Sequence, residues 1–166
     1  MERVSKANPN LNPDFIGSWI IKPTSLCNEL INYFEENKDK QKKGISMSGL
    51  NTDTKDSMDL PIKPKEILLP GNEIFKVYFD ELFLCQRDYV EQWPFLTTIS
   101  HKFEIGSFNL QRYLAGQHFK KIHTERCGIT SLHRIFAFMT YLNDVPEGGS
   151  TFFTHYDLEI QPRQGL

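Results

Sequence analysis

Apolar positions recur at helical spacing in two stretches of the N-terminal half, and the texture becomes strand-like after about Ile105. In TSLCNELINYF, Leu26, Leu30, Ile31 and Phe34 follow one another on one helical face behind Thr24 or Ser25, residue types that cap a helix start. The spacing predicts an amphipathic helix that gives way to the polar run EENKDKQKKG, a solvated helix end and loop. The polar segment SMSGLNTDTKDSMDLP reads as a long loop. NEIFKVYFDELFLCQRDYVEQW reads as a second helix with Ile74, Tyr78, Leu82 and Phe83 on one side.

Beyond Ile105, FNLQRYL, HRIFAFMTYL, STFFTHY and LEIQP are rich in aromatic and β-branched residues, and NDVPEGG supplies a Pro/Gly turn between the second and third. Short strands in succession predict an antiparallel sandwich or jelly roll with the helices packed on an outer face. The expected class is therefore mainly β with N-terminal helices. Residues 1–104 form a helical and loop lead-in packing on the sheet, and residues 105–166 form the β core. No internal repeat is visible.

Composition narrows the partners. A chain of 166 residues, 39% hydrophobic and 24% charged, is sized and composed for one globular domain with a real core. Nineteen Lys and Arg against twenty-one Asp and Glu leave a net charge of -2, which gives no general attraction to nucleic acid or to an anionic membrane surface. The longest apolar run, IFAFMTYL, is of strand length, and MERVSKANPN lacks the apolar region of a secretory signal. Neither nucleic acid nor membrane is an expected partner. Cys27, Cys85 and Cys127 are odd in number and far apart, which points to reduced thiols and a cytoplasmic setting.

The segment KKIHTERCG carries the candidate chemistry. In an extended strand residues two apart share a face, so His123 and Glu125 can reach one point together. A histidine and a carboxylate so placed are two thirds of the facial triad that holds non-haem Fe(II) with coordination positions open. The alternatives at this position are two exposed polar residues at a strand start, or a Zn(II) site completed by Cys127.

The wider run YLAGQHFKKIHTERCGITSLHRIFAFMTYLNDVPEGGSTFF resembles the prolyl 4-hydroxylase-like group of iron(II)- and 2-oxoglutarate-dependent dioxygenases. In that group a tyrosine and a YxxGxxY/F-type segment lead into HxD, and a YLNDV strand runs into GG and a threonine. The likeness covers roughly Phe108 to Gly165. It implies His123 and Glu125 as metal ligands and Tyr113, Tyr141 and Thr151 as residues lining the 2-oxoglutarate pocket. Gly148 and Gly149 match the turn before the threonine strand, and IQPRQG matches the later turn and strand. It further implies a double-stranded β-helix, with residues 105–166 as its first part, and Fe(II), 2-oxoglutarate and ascorbate as cofactor, cosubstrate and auxiliary reductant. The implied reaction is hydroxylation of a prolyl residue or another C–H bond in a protein, peptide or small-molecule substrate.

Two departures qualify the match. Glu125 stands where the group usually has aspartate, an extension of one methylene that a flexible side chain absorbs. The group also places a distal histidine, and a basic residue for the far carboxylate of 2-oxoglutarate, on late strands that do not appear before Leu166. The expectation is an incomplete catalytic domain. His155 and Asp157 in THYD are expected in a turn, His118 and His133 in surface or supporting positions, and His101 lies outside the matched run. The alternative function is a non-catalytic β-helix module that binds a peptide or small ligand. Loops within Ser46–Pro61 or around His155–Asp157 are the candidates for substrate selection.

Overall fold

In the computed structural model residues 1–4, 15–46, 48–100 and 102–166 are described. A short antiparallel ladder of β1 (Glu2–Arg3) with β2 (Trp19–Ile20) leads into α1 (Ser25–Glu36), which buries Leu26, Cys27, Leu30 and Phe34 on one stripe and half-buries Ile31 at its edge. Thr24 stands at the N-cap position, without a side-chain hydrogen bond to the first turn.

The polar segment expected as a loop instead carries strands. After β3 (Lys42–Lys43) come β4 (Lys55–Asp56) and β5 (Met58–Ile62), and β5 is the central strand of a three-stranded sheet. Met58, Leu60 and Ile62 alternate with Ser57, Asp59 and Pro61, so the period of two is present. It was hidden because the second face is polar. Then α2 (Glu73–Gln92) buries Phe75, Leu82 and Cys85, with Ile74, Tyr78 and Phe79 packed beside them. Phe83, expected on the same side, is 58% exposed, because one residue past Leu82 it is turned about 100° around the helix axis. The single turn α3 (Leu96–Ile99) follows with Leu96 buried.

β6 (Phe108–Arg112) closes the sheet in the order β3-β5-β6, all antiparallel, with Met58 opposite Arg112, Leu60 opposite Leu110 and Ile62 opposite Phe108. This face meets the two long helices. Leu60, Ile62 and Leu110 join the buried residues of α1 and α2 in one core, and Phe75 sits edge-on between Tyr33 and Phe108 at 4.8 and 5.5 Å. Each fully buried side chain of this kind contributes about 1.5–3 kcal/mol of transfer free energy.

Beyond β6, β7 (His118–Phe119) pairs with β4, and β8 (Thr151–Phe153) pairs with β9 (Leu158–Ile160) as a hairpin. The HRIFAFMTYL run, expected as a strand, forms no ladder. Its backbone pairing is confined to Tyr141, which donates to the Leu166 carbonyl and accepts from the Gly165 N–H, both at 2.8 Å. Strand preference expresses packing against neighbouring strands, and residues 135–140 have none among the described residues. Their side chains pack on α2 instead: Phe136 meets Tyr89 at 5.7 Å, and Thr140 shares a 2.9 Å hydrogen bond with the Tyr78 phenol. The sheets have three, two, two and two strands, and no closed barrel forms among the described residues. No described helix is long and apolar enough to cross a membrane.

Phe75→Ala is expected to destabilise the protein by about 3–5 kcal/mol in urea unfolding, because the site is fully buried and cannot collapse around the void. The alkaline limb of stability has a second signature. Burial pushes the Tyr78 phenol up to about 12 and the Cys85 thiol up to about 11. The folded state therefore holds these protons when the unfolded chain, with ordinary values of about 10 and 8.5, releases them. Their contribution is complete below about pH 8.5 and is lost as pH rises through about 12. Tyr78→Phe should flatten the fall of unfolding free energy between about pH 10 and 12, measured by urea titration across that range.

Candidate metal and cosubstrate site

On the side of β5 opposite the helices, Ser57 and Asp59 meet Lys55 of β4; the three are 1%, 6% and 4% exposed. Three polar side chains so buried require mutual satisfaction. Asp59 provides it: one oxygen accepts from Lys55 Nζ at 2.7 Å and from Gln111 Nε2 at 3.1 Å, and the other accepts from Ser57 Oγ at 2.7 Å. Gly44 closes the cluster from above, where a side chain would collide with Ser57 Oγ and crowd Lys55.

Tyr113 follows β6 on this same face. Its phenol lies 3.5 Å from Gln111 Oε1; burial, and then the Asp59 charge, raises its pKa. It is held as a neutral hydrogen-bond donor.

The β4–β7 pairing sets Phe119 opposite Lys55, with the ammonium 5.5 Å from the ring centroid. That ring also stacks on His123, centroids 4.2 Å apart and planes 17° from parallel. His123 is not in a strand, in contrast to the extended placement expected for it, yet it and Glu125 still converge: His123 Nε2 lies 3.8 Å from Glu125 Oε1. The His123 Nδ1–H donates to the Lys121 carbonyl at 2.8 Å, which leaves the Nε2 lone pair facing outward. The second oxygen of Glu125 accepts from Arg134 at 2.9 Å, an exposed pair worth about 0–1 kcal/mol.

Tyr141 and Thr151 meet in a second cluster. The Tyr141 phenol donates to Thr151 Oγ1 at 2.7 Å and reaches the Ile160 carbonyl at 3.2 Å, and burial raises its pKa against the Thr151 contact. Gly148 and Gly149 make the expected turn into β8 with φ of 74° and 68°, a left-handed backbone that glycine adopts without strain. His155 and Asp157 form the expected turn between β8 and β9. His118 is held by the Gly116 and Asp53 carbonyls at 3.2 Å each, and His133 is exposed. His101 lies outside the described residues. Among the described residues no three His, Cys, Asp or Glu side chains gather into a metal-holding group, so the His123–Glu125–Cys127 zinc arrangement is not formed.

Lys55, Ser57, Asp59, Gln111 and Phe119 were missed from sequence. The available signal was the alternation in KDSMDLPI, whose polar members read as loop residues until β6 is laid beside them.

No family model matches the chain, and no solved structure matches it. The chain is 33% identical over 97 residues to the probable prolyl 4-hydroxylase 9 of Arabidopsis thaliana, covering 47% of this chain and 34% of that protein. It thus spans about a third of the length of the curated relative it matches. This supports a distant relationship to the prolyl 4-hydroxylases.

The Tyr141–Thr151 contact is separable from the first cluster. Tyr141→Phe and Thr151→Val should each cost about 0.5–1.5 kcal/mol, and the double variant less than their sum, in a urea-unfolding double-mutant cycle.

Proposed function

We infer that this chain carries iron- and cosubstrate-binding residues of an Fe(II)- and 2-oxoglutarate-dependent dioxygenase of the prolyl 4-hydroxylase-like group. The reading takes the double-stranded β-helix as the parent fold and a prolyl residue or other C–H group of a protein, peptide or small molecule as substrate. The observation that carries it is the approach of His123 Nε2 and Glu125 Oε1 to 3.8 Å, beside the Phe119 ring that the buried Lys55 also contacts. The distant similarity to a probable prolyl 4-hydroxylase supports it independently.

The donors fit two positions of such a centre. Ligands bonded at about 2.1 Å in adjacent positions of one ion stand roughly 3 Å apart. A small rotation of Glu125 covers the difference from 3.8 Å. A metal-bound histidine commonly donates its other N–H to a backbone carbonyl, and His123 does so to Lys121. The third position falls to a donor that the described residues do not bring there. Fe(II), with 2-oxoglutarate and dioxygen, supplies the oxidising power for C–H hydroxylation. The chain's own part is to present Nε2 of His123 and a carboxylate oxygen of Glu125, and to offer neutral phenols of Tyr113 and Tyr141 with the Thr151 hydroxyl to the oxygens of the keto acid.

The second reading, a module binding a peptide or small ligand without redox chemistry, is favoured by the two-donor count among the described residues. An anaerobic titration separates them. The expected result is 2-oxoglutarate binding only in the presence of Fe(II), seen as the visible charge-transfer absorption of an iron–keto acid chelate. Glu125→Asp should retain that absorption, while His123→Ala and Glu125→Gln should abolish it. Absence of Fe(II)-dependent binding in the unaltered protein would sink the oxygenase reading.

A further inference from the structure

We propose that the buried Lys55–Asp59 ion pair, with Ser57 and Gln111, is a positioning device that holds the Tyr113 phenol and the His123 imidazole as one unit on the polar face of the sheet. The inference rests on the reading of His123 as an iron ligand and Tyr113 as a cosubstrate contact, and assigns a role to Lys55, Ser57 and Asp59, which lie outside the matched run.

The contacts are continuous. Asp59 is bonded to Lys55, Ser57 and Gln111, and Gln111 Oε1 in turn lies 3.5 Å from the Tyr113 phenol. Lys55 lies over the Phe119 ring, and that same ring stacks on the imidazole of His123. The candidate ligand and the candidate cosubstrate contact are therefore each one residue removed from the same ion pair. They come from different segments, β6 and the stretch after β7, with no backbone ladder to each other. Side chains must do the aligning.

The energetics argue against a purely stabilising role. Withdrawing two charges from water is expensive, and buried pairs are often replaced by apolar residues of similar volume with no loss of stability. What apolar residues cannot reproduce is direction. Asp59 points Ser57 and Gln111 toward Tyr113, and the Lys55 ammonium draws the Phe119 ring to itself and fixes the plane on which His123 lies. Gly44 makes the cluster intolerant of displacement by leaving no room above Ser57.

The test is the double variant Lys55→Met with Asp59→Leu, which removes both charges at nearly constant volume. In the unaltered protein the His123 ring protons should resonate upfield of a free imidazole because of the Phe119 stack. In the double variant those resonances should move toward free values, and Fe(II)-dependent 2-oxoglutarate affinity should fall about tenfold, the scale of lost support around a metal site. Its cooperative urea transition should be retained, with a midpoint lowered by the loss of the acceptor for buried Ser57 and for Gln111. A folded double variant with unchanged His123 shifts and unchanged affinity overturns the proposal. Should that variant not fold, Ser57→Ala takes its place: a severalfold loss of 2-oxoglutarate affinity supports the device, and an unchanged affinity overturns it. If the unaltered protein shows the His123 stack but binds no 2-oxoglutarate with Fe(II), the oxygenase reading fails alone, and the ring-proton shifts of the double variant still decide whether the ion pair positions His123.

Discussion

The pairing of β5 with β6 is the constraint on which the structure depends, because β5 is buried on both faces by different chemistry. Leu60 and Ile62 enter the helix-backed core, while Ser57 and Asp59 enter a closed polar cluster with Lys55. A slip of one residue would exchange the two sets. Asp59 would then face Phe75 and Leu30 without partners, and the cost of an unpaired buried charge far exceeds any gain from Leu60 on the other side. The polar cluster therefore specifies register as strictly as the apolar core does. The register in turn sets Gln111 opposite Asp59 and delivers Tyr113 to the polar face.

How much of this was legible in the sequence depends on what buries each element. The two long helices announce themselves because their cores are apolar stripes: Leu26, Leu30 and Phe34 in α1, Leu82 with Tyr78 in α2. Strand β5 was unreadable for the complementary reason. Its buried face is partly charged, and Lys55 and Asp59 look like loop residues until the cross-strand partner of each is known. HRIFAFMTYL erred the other way. Its composition is that of a strand, but strand formation needs a ladder partner, and the described residues supply one only at Tyr141.

The candidate site divides along the same line. Features that follow from local geometry are present: Gly148 and Gly149 turn the chain, Thr151 begins a strand, and the Tyr141 phenol reaches it at 2.7 Å. His123 and Glu125 converge without the strand that suggested they would. The stack of His123 on Phe119 and the ion pair of Glu125 with Arg134, contacts four and nine residues apart in the chain, hold the two side chains without a strand. The supporting residues Lys55, Ser57 and Asp59 lie more than fifty positions before Tyr113 and meet it only through the sheet.

The Arg134 contact bears on whether Glu125 can serve as a ligand. Both side chains are about half exposed, 49% and 51%, so solvent screens their attraction and the pair contributes about 0–1 kcal/mol. A divalent cation offers the same carboxylate a far stronger local charge, and Arg134 holds only one of its two oxygens while the other faces His123. The ion pair is thus no barrier to coordination. With Arg134 on one oxygen, the other oxygen of Glu125 is left 3.8 Å from His123 Nε2, the side on which a cation would be shared.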